Sequence, residues 1–175
     1  MAKSYKEIMN DITTFVFDVD GVLTDGSVNI SPTGEMLRKM NIRDGYAMKA
    51  AIESGYNVCI ISGGSNEGVR IRLKNLGITD IHLGSPDKVE TFKEYCELYS
   101  ISPEKVIYMG DDIPDFHVMK LVGLPTCPQD AAPEIKSISN YISHFNGGKG
   151  AVRDVIEQVM KVQGKWHLYY NGKHD

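Results

Sequence analysis

Short apolar runs rich in β-branched and aromatic residues alternate, along most of the chain, with longer segments of helical period. That alternation constrains the fold more than any single residue does. Parallel strands need a long crossover, which a helix supplies, and repetition of the unit builds a sheet covered by helices on both faces. The strands read as residues 12–17, 57–61, 80–83 and 106–109, with 124–127 and 140–143 as short outer strands. The helices read as 46–54, 67–76, 89–99, 116–122 and 151–162, and Gly55 and Gly77 stand where two of them should stop. The expected architecture is therefore α/β, a Rossmann-like parallel sheet flanked by helices. One segment interrupts the pattern. Residues 28–30 and 36–42 flank Ser31-Pro32-Thr33-Gly34, whose Pro/Gly turn suits a β-hairpin over about 27–42, after the first strand.

A chain of 175 residues, 42% of them hydrophobic, can bury most of the surface its unfolded form exposes, and one domain is expected over residues 1–164. Beyond it the periodicity fades, so residues 165–175 read as a mobile C-terminal tail whose aromatics need a partner or stay in water. Cys59, Cys96 and Cys127 are odd in number and lack CxxC spacing, which makes them reduced core residues rather than a redox or metal device. His82, His117, His144, His167 and His174 share no metal-ligand spacing and read as surface or capping residues. No apolar run approaches the ~20 residues of a membrane span, and residues 1–10 are polar rather than a secretory signal, so the expected location is the cytoplasm, with no membrane partner. A net charge of -4 without any basic run argues against a nucleic-acid surface.

In open α/β sheets, ligands bind beyond the carboxyl ends of the strands. Four polar sets fall there: Asp18 and Asp20 after the first strand, Ser62-Gly63-Gly64 after the second, Lys88 at a helix start, and Gly110-Asp111-Asp112 with Asp115 after the fourth. Each is ordinary alone, because an Asp after a strand usually caps a helix or forms a turn and a single Lys is usually solvated. Together they would crowd five carboxylates onto one edge, where mutual repulsion raises their pKa values unless a cation holds them ionised. Oxygen donors of this kind suit a hard divalent ion such as Mg²⁺, completed by a substrate phosphate.

These residues carry a resemblance. Asp18-Val19-Asp20-Gly21-Val22-Leu23-Thr24, Ile61-Ser62-Gly63, Lys88 and Gly110-Asp111-Asp112-Ile113-Pro114-Asp115 resemble the four motifs of haloacid dehalogenase superfamily phosphatases. Within that superfamily, Thr24-Asp25-Gly26, the segment from Asn41 to Tyr46, Arg72 and the segment from Gly147 to Arg153 resemble the family of 3-deoxy-D-manno-octulosonate 8-phosphate (KDO 8-phosphate) phosphatases. The resemblance runs from about Ile12 to Gly164; an Arg is more usual where Lys149 stands, and the tail matches no pattern.

The resemblance implies a Mg²⁺-dependent phosphoric monoester hydrolase that forms an aspartyl-phosphate and takes a phosphorylated 3-deoxy-2-keto sugar acid, as in lipopolysaccharide precursor synthesis. It assigns Asp18 as nucleophile and Asp20 as acid and base, with Mg²⁺ held by Asp18, Asp111 and the main-chain carbonyl of Asp20. Ser62 and the Gly63 amide would hold phosphoryl oxygens, Lys88 would offset charge, and Asp112 and Asp115 would stand behind the metal and Lys88. Arg72, then Arg70, would grip a carboxylate, with Lys149 as a charge partner.

Asp20 and Gly63 stand 43 positions apart, which leaves no room for a cap domain. Capless relatives roof the site with neighbouring subunits, so the resemblance implies a homotetramer, with the hairpin and the C-terminal tail of neighbours near the site. Three rivals differ in kind. A phospho-receiver would need its Lys after the acceptor Asp, whereas Lys88 precedes Asp111. A non-catalytic phosphate-binding relative would not need every catalytic position intact. A nine-carbon sialic or KDN 9-phosphate, or another small phosphomonoester, would keep the reaction and change the substrate.

Overall fold

The computed structural model describes residues 3–166. In chain order, α1 (Tyr5–Met9) and β1 (Thr14–Phe17) lead into a hairpin of β2 (Asn29–Ile30) and β3 (Met36–Leu37), followed by α2 (Ile42–Glu53) and β4 (Asn57–Ile61). Then come α3 (Glu67–Asn75), β5 (Asp80–His82), α4 (Lys88–Leu98), β6 (Val106–Met109), α5 (Phe116–Met119), β7 (Leu124–Cys127), α6 (Pro133–Ile138), β8 (Tyr141–Ile142) and α7 (Ala151–Val162). The main sheet is parallel with strand order β5-β4-β1-β6-β7-β8, and β2 pairs with β3 antiparallel. The expected α/β architecture is the one observed, hairpin included.

Successive side chains of a strand face opposite sides of the sheet, and β1 uses both. Phe15 and Phe17 enter one apolar layer with residues of α2, α3 and α7, while Val16 enters the other with Phe92, Tyr95 and Cys96 of α4 and Ile135 of α6. Phe17 stands level with Ile60 of β4 and Met109 of β6, so the three carboxyl ends open together. β1 is also where the strand order turns back on itself, the place such sheets use for ligands.

Several boundaries differ from the sequence reading. The second hairpin arm ends at Leu37 and α2 begins at Ile42, because the Asn41 side chain accepts from the N–H groups of Arg43 at 2.8 Å and Asp44 at 3.4 Å and so starts the helix early. Two helices were not anticipated: α1, which Ser4 and Glu7 close with a reciprocal capping box, and α6, which opens on Pro133. The segment assigned to the tail begins inside the core. Trp166 is only 4% exposed, with the Arg153 guanidinium 5.4 Å from its ring centroid. The rest of that segment, including His167 and His174, lies outside the described residues. His82 is half-buried edge-on to Tyr95 rather than a surface residue, whereas His117 and His144 are exposed. All three cysteines are free and buried. No helix among the described residues is long and apolar enough to cross a membrane.

Candidate active site

The carboxyl end of β1 meets that of β6 at a buried knot of charge. Lys88, the first residue of α4, sends its Nζ between Asp18 Oδ2 and Asp115 Oδ1, at 2.7 Å from each. Asp115 also accepts from the Tyr108 hydroxyl at 2.8 Å and, through Oδ2, from the Asp111 N–H at 3.1 Å. Ligand atoms of Asp18, Asp111 and Asp115 all lie within 4.8 Å of one another, close enough to share one divalent cation. Three of the roughly four acceptor positions of Asp115 are already taken, which leaves Asp18 and Asp111 as the freer donors.

Electrostatics follow from this crowding. Burial pushes the Asp18 carboxyl up to about 6, and the nearby Asp115 charge adds to the rise while Lys88 opposes it. Burial, then Asp18 and Asp115, push Asp111 up to about 7. For Lys88 burial disfavours the ammonium, but Asp115 and Asp18 outweigh it and hold the pKa above its ordinary value. The cluster as it stands is short of positive charge.

Asp20, two residues beyond Asp18, belongs to a different arrangement. Its carboxylate lines a shallow crevice with Arg38, Ser62, Gly64 and Asn66. Arg38 grips it with two parallel bonds, Nε to Oδ1 at 3.0 Å and Nη2 to Oδ2 at 3.2 Å. The turn from Gly21 to Thr24 follows Asp20 directly in the chain. Gly21 has φ +83°, and a Cβ there would run into the Asp111 carboxylate, so only glycine lets turn and metal-ligand candidate approach. The Thr24 hydroxyl accepts from the Gly21 and Gly26 N–H groups at 3.2 Å each.

Behind this turn the segment from Gly147 to Gly150 packs closely. The Gly148 N–H donates to the Val22 carbonyl at 2.9 Å, and a Cβ on Gly147 would strike the Gly21 carbonyl. That segment is anchored from α2, where Asn41 Nδ2 donates to the Gly148 carbonyl at 3.3 Å and Asp44 Oδ1 accepts from the Arg153 N–H at 2.8 Å. Burial pushes Asp44 up to about 6, partly offset by the N–H groups of Arg153 and Gly150.

The structure thus gathers Asp18, Lys88, Asp111 and Asp115 in one buried cluster, while Asp20 and Ser62 line the crevice of Arg38 and Asn66, with Gly63 exposed next to Ser62. Asp112 is exposed and its carboxylate accepts from the Ile113 N–H at 2.8 Å, so it caps the following turn instead of touching Lys88. Arg70 donates to the Ile81 carbonyl at 3.1 Å. The Arg72 guanidinium lies against Gly45 of α2, and neither arginine lines the Asp20 crevice. Lys149 lines a small cleft with Asp25 and Lys39. Sequence reasoning missed Arg38, Asn66 and Tyr108. A hydroxyl in the otherwise apolar Val106–Met109 run was a usable signal for Tyr108, whereas nothing local distinguishes Arg38 from Lys39.

A family profile described as haloacid dehalogenase-like hydrolase matches residues 78–156. The 3-deoxy-D-manno-octulosonate 8-phosphate phosphatases of Salmonella typhi and Escherichia coli K12 are each 39% identical over 155 residues, covering 89% of this chain and 82% of theirs. The crystal structure of the Yersinia pestis phosphatase of that name superposes with a TM-score of 0.92 at 35% identity, covering 95% of this chain and 90% of that one. The Moraxella catarrhalis phosphatase, solved in complex with magnesium ion, phosphate ion and KDO, gives 0.90 at 30% identity over 94% of each chain. On this likeness, which spans the pocket and its rim, the chain belongs to the haloacid dehalogenase-like hydrolases, as a phosphoric monoester hydrolase in the family of the 3-deoxy-D-manno-octulosonate 8-phosphate phosphatases.

Proposed function

We propose that the protein hydrolyses 3-deoxy-D-manno-octulosonate 8-phosphate to the free sugar acid and phosphate, with Mg²⁺, through an aspartyl-phosphate on Asp18. The observation that carries this reading is the Asp18 carboxylate held by Lys88 at 2.7 Å beside Asp111, with a second carboxylate, Asp20, two residues away at the rim. The relatives named above supply the substrate.

The donor set fits the metal. Burial and mutual repulsion raise Asp18 to about 6 and Asp111 to about 7, and a hard divalent cation is the counter-charge that such oxygen donors accept. Asp18, Asp111 and the Asp20 carbonyl would hold it. When bound, Mg²⁺ masks the carboxylate charge and polarises the phosphoryl oxygens. Asp18 then attacks phosphorus as the bond to the sugar oxygen breaks, and Asp20 delivers a proton to that oxygen. In the second half Asp20 takes a proton from the water that attacks the phospho-aspartate, which releases phosphate and restores Asp18. Ser62 and the Gly63 amide hold phosphoryl oxygens, and Lys88 offsets charge between nucleophile and phosphate. Asp115 keeps Lys88 in place through their 2.7 Å contact. For the sugar carboxylate, Arg72 and then Arg70 are the expected grip, with Lys149, which lines a cleft with Asp25 and Lys39, as a charge partner.

The hairpin supports a homotetramer. Ile30 is 70% exposed and Leu37 55%, and a two-stranded hairpin with such a surface gains stability by packing against another copy. Three free, buried thiols suit a reducing compartment and support the cytoplasm as the site of the reaction.

The test is kcat/KM, with and without EDTA, on KDO 8-phosphate, a nine-carbon KDN 9-phosphate and a hexose 6-phosphate without a carboxylate. The expected result is a preference of about tenfold or more for KDO 8-phosphate over the nine-carbon ester, greater still over the hexose ester, and loss of turnover in EDTA. Equal efficiency on the hexose ester overturns the substrate, and full activity in EDTA overturns the mechanism.

A further inference from the structure

A group that protonates a leaving oxygen has to be aimed at it, and the side chain of Asp20 is 38% exposed on a turn. What fixes its plane is Arg38, whose own side chain is 8% exposed and which reaches the carboxylate with two N–H groups at 3.0 and 3.2 Å. The third edge of the guanidinium points back into the hairpin, where Nη1 donates to the Met36 carbonyl at 3.0 Å. That carbonyl also accepts from Asn66 Nδ2 at 3.1 Å, and Asn66 Oδ1 accepts from the Val69 N–H at 3.0 Å to cap α3. The hairpin arm is therefore pinned to α3 at Met36 and to Asp20 through Arg38. Gly64 closes the other side: a Cβ there would stand 3.1 Å from Asp20 Oδ2 and 3.5 Å from Arg38 Nη2.

We infer that Arg38 is a positioning residue for Asp20: the hairpin's own guanidinium sets the orientation of the acid and base carboxylate. The inference rests on the role of Asp20 given above and adds to it the residue that aims it. A paired arrangement of N–H groups fixes the plane of a carboxylate, which a lysine ammonium does not. Two other roles are possible for a cation at this place, a direct grip on the substrate and a plain staple for the hairpin, and they leave different kinetic traces.

Proton delivery matters in proportion to how basic the leaving oxygen is. A sugar alkoxide needs the proton, whereas the phenolate of p-nitrophenyl phosphate leaves without one, and kcat/KM reports the steps up to that departure. The experiment compares wild type, Arg38→Ala and Arg38→Lys on KDO 8-phosphate and on p-nitrophenyl phosphate, and repeats Arg38→Ala in an Asp20→Asn background. For Arg38→Ala the expected loss in kcat/KM is about 10²-fold on the sugar ester and less than about threefold on the aryl ester. Arg38→Lys should fall between wild type and Arg38→Ala on the sugar ester. In the Asp20→Asn background Arg38→Ala should cost less than about threefold on the sugar ester, as coupled residues do. Retained aryl turnover also reports that the variants fold.

Equal losses on the two esters would make Arg38 a structural staple and overturn the inference. A rise in KM with kcat unchanged would make it a substrate contact, and a full loss on top of Asp20→Asn would show that it does not act through Asp20. Should wild type ignore KDO 8-phosphate yet turn over another alkyl phosphate, the substrate assignment fails and the same comparison is read on that ester.

Discussion

Asp18 and Asp20 are two residues apart and each is paired with a cation, yet the two pairs are built in opposite ways. Asp18 and Lys88 are both about nine-tenths buried, and the elements around them are β1, the start of α4, Tyr108 of β6 and Asp115 in the turn that follows. Asp20 is more than one-third exposed and its partner comes from a hairpin whose outer face is apolar and open to solvent. Asp18 is thus fixed by the sheet itself, while Asp20 depends on a peripheral arm.

The contrast breaks first on stability. Asp115→Ala strands Lys88 in the core without one of its two partners and frees the Asp111 N–H, so a loss of about 3–5 kcal/mol is expected in urea unfolding. Arg38→Ala acts on a pair at the rim and should cost less than about 1 kcal/mol. Comparable losses would mean that the hairpin is as integral to the fold as the sheet.

Metal binding should not depend on the Arg38 pair. From the ordinary value of 3.8 that holds in the unfolded chain, burial in the metal-free fold pushes Asp18 up to about 6 and Asp111 up to about 7. The folded state therefore holds more protons in between, and metal-free stability falls as pH rises from about 4 to about 7. A cation needs the ionised forms, so the Mg²⁺-induced rise in Tm should be small at pH 5 and full by pH 8. At 100 times its dissociation constant the ion adds about 2.7 kcal/mol. Differential scanning fluorimetry across that range checks it, and Arg38→Ala should show the same shift as wild type.

A third outcome sharpens the role of the hairpin. Ile30 and Met36 are cross-strand partners, 70% and 47% exposed, so Ile30→Lys with Met36→Glu keeps the hairpin paired and removes its apolar face. Sedimentation equilibrium should show a smaller assembly, and turnover of the sugar ester should drop about tenfold, equivalent to ~1.4 kcal/mol. An unchanged mass with unchanged turnover would mean that the hairpin roofs nothing.

The smallest effect lies behind the site. Asp44, 1% exposed, is raised from 3.8 to about 6, so its ionisation destabilises the fold increasingly between those pH values and fully above them. Asp44→Asn keeps an acceptor for the Arg153 N–H and removes the charge, so it should stabilise by about 1 kcal/mol at pH 8 and by little at pH 4, in chemical denaturation at both pH values.

The strand ends were legible because buried parallel strands announce themselves as apolar runs that stop abruptly, and Asp18, Lys88 and Asp111 fall at or beside such stops. Arg38 was not, since its partner lies 18 positions away and reading the arm as extended to residue 42 hid where the chain leaves the hairpin. Arg72 shows the converse limit. Its place on a basic helix suggested a ligand grip, and the structure adds that its guanidinium lies against Gly45 of α2, a contact that no local pattern carries. Trp166 likewise lies past the last helical period and is buried all the same, because burial depends on the surface it finds.

If Asp18 is the nucleophile, it becomes phosphorylated during turnover. Rapid-quench reaction of the holoenzyme with KDO 8-[³²P]phosphate, followed by proteolysis and peptide mapping, tests it directly. The expected result is a transient, hydroxylamine-sensitive label on the peptide containing Asp18, absent in Asp18→Asn and, in Asp20→Asn, both slower to form and longer-lived, because the carboxylate that serves as acid and then as base is gone. Full turnover without any label on that peptide, or label on another residue, would contradict it.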